Sequence, residues 1–225
     1  MSQRSENDQD GEQSNIVFLR TLSLAGVLGP VIFWIVIGIL GILTPEYSAV
    51  TDVISDLGAV TAPFALIQRI NFIILGLGIL AFAIGLDRQF RESWRPWIGV
   101  ILIGMFGVIG VMGAGIFQSN PTNPDSLTHM LHSIVSVIGF LAGLIGIPLT
   151  SWRLYKENQW SGYQSRLIVI AITTIVIGSF GIFLASNGTS WPGLGQRLFV
   201  GVLTGWIAYH SFSLYKLARI RIQSV

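Results

Sequence analysis

The chain has 225 residues, of which 52% are hydrophobic and only 11% charged, with a formal net charge of +2. Soluble domains carry charge on roughly a quarter of their residues, so a water-soluble globule is excluded, and a mean hydropathy of +0.68 agrees. Cysteine is absent, which removes disulfides, thiolate metal sites and cysteine nucleophiles.

The first fifteen residues, Met1 to Asn15, are polar and mixed in sign. They lack the basic start and apolar stretch of a signal peptide, and residues 1–18 are expected to form a disordered cytoplasmic tail. Residues 19–219 then read as one transmembrane domain, followed by a short cytoplasmic tail over 220–225. Crossing a hydrocarbon core of about 30 Å takes roughly 20 apolar residues. Leu22–Leu43 is the first stretch that meets this requirement. In lipid the backbone must satisfy its own hydrogen bonds, so such a stretch is a helix.

The connection after it, Thr44 to Pro63, holds Glu46, Asp52, Ser55 and Asp56. Ser48, Thr51, Asp52, Ser55 and Asp56 share one helical stripe, while Ala49, Val50, Val53, Ile54 and Leu57 share the other. This spacing predicts a short amphipathic helix lying at the interface and stopped by Gly58. The second span, Phe64–Leu86, carries Gln68 and Arg69 near its start, and the connection Asp87–Arg95 is short and basic. The third span, Pro96–Phe117, has glycine at 104, 107, 110 and 113.

Between the third and fourth spans, Asp125, His129 and His132 stand at i, i+4 and i+7 if the helix begins near Pro124, so they share one face. Ser133 and Ser136 extend that face along the fourth span, His129–Trp152. A carboxylate and two imidazoles so aligned are able to bind zinc or another divalent ion, with Asp52 or Asp56 completing the shell. The same residues also suit a helix N-terminus with hydrogen-bonded histidines, or direct headgroup or proton chemistry. Gly139 and Gly143 form a GxxxG, which serves either close packing within one bundle or a homo-oligomer through glycine-rich faces.

A second basic connection, Arg153–Arg166, precedes the fifth span, Leu167–Ala185. Asn187-Gly188-Thr189 is a glycosylation sequon that has meaning only in a eukaryote. The sixth span, Leu198–Tyr215, is introduced by Gln196 and Arg197 in the same Leu-x-Gln-Arg context as Gln68 and Arg69, with phenylalanine at 72 and 199, and carries a lone His210 near its inner end.

Eleven of the 13 Lys and Arg residues fall in alternate connections or at the termini, and only Arg69 and Arg197 fall on the other side. By the positive-inside rule this asymmetry makes the basic side cytoplasmic. Six spans are even in number, so a multi-pass protein of the cell membrane with both termini cytoplasmic is expected. Five tryptophans (94, 97, 152, 160 and 191) lie at expected span ends, as an aromatic belt requires. The pI near 9.2 is explained by these flanking cations, and no nucleic-acid partner is expected. No G-x-x-x-x-G-K-[ST] loop occurs, so an ATP-driven machine is unsupported.

Pro45-Glu46-Tyr47-Ser48 followed by Asp52-Val53-Ile54-Ser55-Asp56-Leu57-Gly58-Ala59 resembles the signature loop of a six-helix membrane family, domain of unknown function 998. The histidine opening the fourth span and Gly195-Gln196-Arg197 are also similar to that family. The resemblance implies a prokaryotic membrane protein and carries no activity. Ile54-Ser55-Asp56 with Gly58 and Pro63 is more weakly similar to the first outer loop of the Frag1/DRAM/Sfk1 membrane proteins, which implies a link to lipid.

The fold expected is therefore an all-α integral membrane bundle of six transmembrane helices, with a short amphipathic helix in the first outer loop. Three functions compete. The first is binding or organising membrane-lipid headgroups through Arg69, Arg197, Gln68, Gln196, Ser55 and Asp56. The second is a metal-dependent hydrolase or transferase acting on a lipid, with His129, His132 and Asp56 as catalytic candidates and Asp125, His129, His132 and Asp52 as metal ligands. The third is a small-solute transporter, which the lack of charged residues in the middle of the spans disfavours.

Overall fold

A computed structural model describes residues 2–90, 97–157, 160, 162, 164–186 and 190–223. Among them there is no strand. The helices are α1 (Ser2–Leu43), α2 (Ala65–Phe90), α3 (Ile98–Met105), α4 (Gly113–Ile116), α5 (Leu127–Tyr155), α6 (Gln164–Ser186) and α7 (Pro192–Gln223). A π-helical stretch, Phe106–Met112, joins α3 to α4, so these three pieces form one continuous span. Six helices are long and apolar enough to cross a membrane, as expected. The helical backbone of α1 begins at Ser2. The stretch expected as a tail holds no proline before Pro30. Arg91, Trp94, Arg95 and the 187–189 sequon lie outside the described residues.

Both faces of each span are apolar, so burial rather than polarity marks the inward side. Along α1, Ser23, Gly26, Pro30, Phe33, Ile37 and Leu40 face inward at three- and four-residue steps, while Leu28, Ile35, Ile39 and Ile42 face outward. The first helix packs on α2 and α7, the third span lies between α2 and α5, and α6 packs on α7.

Lipid tails provide no hydrophobic drive between spans, so close backbone approach takes its place. A Cβ built on Gly139 would lie 2.2 Å from Gly110 Cα, and one on Gly78 would lie 2.8 Å from Ala25 O. The glycine repeat of the third span and the GxxxG of α5 thus meet inside the bundle. Side-chain hydrogen bonds also join spans, among them Trp34 Nε1 to Thr204 Oγ1 at 3.1 Å and Trp206 Nε1 to Ser151 Oγ at 3.0 Å.

Two expectations are corrected. Residues 44–53 form turns, and only Ile54–Gly58 closes a 3₁₀ turn, so the amphipathic helix over Ser48–Gly58 is not formed. The physical reason is local competition: Asp52 and Asp56 bond to nearby backbone N–H groups and hold the chain in turns. Trp160, assigned to the aromatic belt, is fully buried, whereas Trp152 and Trp191 are exposed by 60% and 53%. It lies against His210, at 5.7 Å between ring centroids, and His210 stacks in turn on Trp206 at 4.1 Å. A loop residue therefore closes the core at the termini end of the bundle.

Candidate functional site

The polar residues gather at the opposite end, around residues 44–64 and 117–126. The first of these loops is shaped by its own carboxylates. Asp52 accepts from the backbone N–H of Ser48 at 2.7 Å and from Thr51 Oγ1 at 3.0 Å, and Asp56 accepts from Val53 N–H at 3.1 Å. Glu46 turns the chain with φ 59°. Burial pushes the Asp56 carboxyl above its usual range; the Val53 bond lowers it, Asp52 raises it further, and Arg197 and His129 draw it down. Burial likewise raises the Tyr47 phenol against the opposing pull of Arg197.

Helix α7 docks onto this loop with its first turn. Leu194 N–H donates to Val50 O at 3.0 Å. Gly193 sits where a Cβ would fall 2.3 Å from Asp52 O, so only glycine allows the approach. Arg197, half-buried, donates from Nη1 to Asp52 O at 2.8 Å and to Gly193 O at 3.0 Å, and from Nη2 to the Tyr47 hydroxyl. Tyr47 donates onward to Val53 O at 3.1 Å. Gln196 accepts the Ile54 N–H through Oε1. Among the described residues no ion pair joins Arg197 or Arg69 to Asp52, Asp56 or Asp125; neutral acceptors hold both guanidiniums.

Arg69 serves a different element. The last carbonyls of a helix have no partner within it. At the end of the third span, Arg69 Nε donates to Gly115 O at 2.9 Å and Nη2 to Ile116 O at 3.2 Å, while His132 Nδ1 bonds Phe117 O at 2.8 Å. A guanidinium there also matches the negative end of the helix dipole. Gln68 is fully buried and accepts from Asn71 Nδ2 at 3.3 Å, and Asn71 donates to Phe33 O at 3.2 Å, so this pair ties α2 to α1.

The proposed metal shell is not assembled. His129 Nδ1 accepts from Asn120 N–H at 3.0 Å, His132 is turned to the third span, and Asp125 is exposed. Among the described residues no three His, Cys, Asp or Glu side chains are placed to hold a metal ion. Helix α5 begins later than position 124, with Ser126 as its N-cap accepting from His129 N–H. Ser133 faces outward, while Ser136 faces the interior.

Of the residues singled out in the sequence, Ser55, Asp56, Gln196 and Arg197 come together on the first loop; Arg69 and His132 meet at the third span, and Gln68 belongs to the packing of α1. The contribution of Tyr47 had no sequence signal beyond its place in the Pro45–Ser48 run. That of Gly193 was visible only as one more glycine at a span start.

Two spaces adjoin the cluster. One is a narrow, partly open cavity of about 30 Å³ bordered by Ser55, His132, Ser136 and Gln196 on its polar side and by Phe33, Phe72, Phe106 and Phe140 on its apolar side. The other is an open groove of about 320 Å³ on the side of the bundle, lined by Trp34, Gly38, Gly41, Ile42, Tyr47 and Arg197 among others.

Six apolar spans with polar chemistry concentrated at one end define a multi-pass, all-helical membrane protein. A family model described as protein of unknown function, DUF998, matches residues 27–213, and the chain belongs to this family. The match runs from the middle of α1 into the last turns of the sixth span, and so includes the whole polar end. No curated protein and no solved structure matches the chain.

Proposed function

We propose that the protein binds a phospholipid of the outer leaflet, with the lipid phosphate on Arg197 and one acyl chain in the groove between α1 and the first turn of α7. The distribution of Lys and Arg supports the orientation, with both termini cytoplasmic in the cell membrane and the polar end outward. The observation that carries the reading is the state of Arg197: half-buried, held by two carbonyls and a phenol rather than a carboxylate, and bordering an apolar groove. From Ile42 to Trp34 the groove descends about 12 Å along α1, at 1.5 Å per residue. Gly38 leaves it open, since a Cβ there would meet nothing within 4 Å. Asp52 and Asp56 act on the same Tyr47–Arg197 pair electrostatically, so a zwitterionic headgroup complements the site better than a net anionic one.

Native mass spectrometry of protein exchanged into lipid of defined composition tests this. A charge-assisted contact to phosphate contributes about 1.5–3 kcal/mol, so Arg197→Gln is expected to weaken retention of phosphatidylethanolamine about 10- to 100-fold. Arg69→Gln, whose guanidinium serves backbone carbonyls, is expected to leave retention unchanged. Equal retention by the wild type and Arg197→Gln would exclude the reading.

A further inference from the structure

The cavity beneath the first loop lies apart from the groove and from Arg197. We infer that it holds one ordered water molecule, which joins the Ser55 turn to α5 and α7. Size bounds the occupant: about 30 Å³ exceeds the roughly 10–15 Å³ that one water needs and leaves no room for an acyl ester or sugar. Chemistry then selects water over an empty void. Ser55 and His132 are each more than nine-tenths buried, at 8% and 7% exposure, and both border the space. Among the described residues neither the Ser55 nor the Ser136 hydroxyl has a hydrogen-bond partner. Gln196 has only its Oε1 engaged, by Ile54 N–H, and its NH₂ has no bond among the same residues.

His132 adds an acceptor. Its Nδ1 bonds to the Phe117 carbonyl, and a neutral imidazole that donates there carries its lone pair on Nε2. Ser136 lies four residues further along α5, on the same face as His132. Two hydroxyls, an amide and an imidazole around one small void meet the two to four partners that a buried water requires. Ser55 and His132 are buried deeply enough that leaving their polar atoms unsatisfied is costly. The third span lines the same space with Phe106, Gly110 and Val111 of its π-helical stretch, and α1 and α2 add Phe33 and Phe72, which places the water between the first loop and five spans.

The sign of a deletion distinguishes a wet site from a dry one. If water is bound, Ser136→Ala and Ser55→Ala each remove a hydrogen bond to it and lower Tm by roughly 2–4 °C, and the double variant loses less than the sum because both act through one molecule. If the void is dry, each deletion removes an unsatisfied hydroxyl from an apolar space and leaves Tm unchanged or raises it, which overturns the proposal. An experimental structure fine enough to show ordered solvent gives a second, independent readout. A density peak within hydrogen-bonding distance of both serine hydroxyls is expected, and an empty cavity refutes the inference. Neither measurement depends on lipid bound at Arg197.

Discussion

Replacing Gly139 by alanine tests the packing of the bundle at its tightest point. The added methyl carbon would lie 2.2 Å from Gly110 Cα and 2.8 Å from Gly110 N. Non-bonded carbons rest at about 3.5–4.0 Å, so α5 and the third span must separate by more than about 1 Å. The obstacle is backbone, which has no rotamer to give. Overpacking typically costs about 1–3 kcal/mol, and a backbone obstacle places this case at the upper end. For a chain of this size that corresponds to a drop in Tm of about 6–12 °C. Gly205 is the internal control, since a Cβ there meets nothing within 4 Å. Gly205→Ala gains helix propensity alone, about 0.5–1 kcal/mol. Thermal unfolding in detergent followed by size-exclusion chromatography gives Tm and oligomeric state together. Should Gly139→Ala keep the wild-type Tm, or lose only an oligomer while the monomer stays intact, the glycine faces would join separate chains and the packing within one bundle would be refuted.

Three further outcomes are expected. Arg69→Leu leaves Gly115 O and Ile116 O without their donors; at a half-exposed site this costs about 1–3 kcal/mol, read as a lower Tm and faster hydrogen exchange at the first amides beyond Ile116. Asp56 has a raised pKa in the folded protein, so its ionisation opposes folding: the penalty is absent below the ordinary carboxylate range and complete above the folded value. Asp56→Asn is therefore expected to raise Tm at pH 7.5, with the gain vanishing below about pH 4; a gain independent of pH would contradict this. Trp160→Ala opens a cavity beside His210 and is expected to cost about 3–5 kcal/mol, whereas Trp152→Ala, exposed by 60%, changes Tm little.

Much of the fold was legible because a bilayer leaves the chain few choices. A stretch such as Phe64–Leu86 must form a helix once no water is present to satisfy its backbone, and the structure gives Ala65–Phe90. Six such stretches, the short loops between them and the family signature around Asp52–Ala59 could be read without coordinates. Which side of each span faces inward was not legible in the same way. The core and lipid faces of α1 are equally apolar, and hydrophobic periodicity therefore carries no signal.

At the polar end, residue types in the sequence showed which polar side chains lie near one another in the chain but not what each group bonds. Arg69 and Arg197 occupy the same Leu-x-Gln-Arg context, yet one caps the third span while the other clasps the first loop. Asp125, His129 and His132 share a helical spacing on paper, yet Ser126 starts the helix, and Asn120 and Phe117 take the two imidazoles. Local spacing determines which residues share an element. The partner of a guanidinium or an imidazole is whichever unsatisfied carbonyl or amide a neighbouring helix end brings within 3 Å or so, and only the packing of all six spans decides which helix end that is.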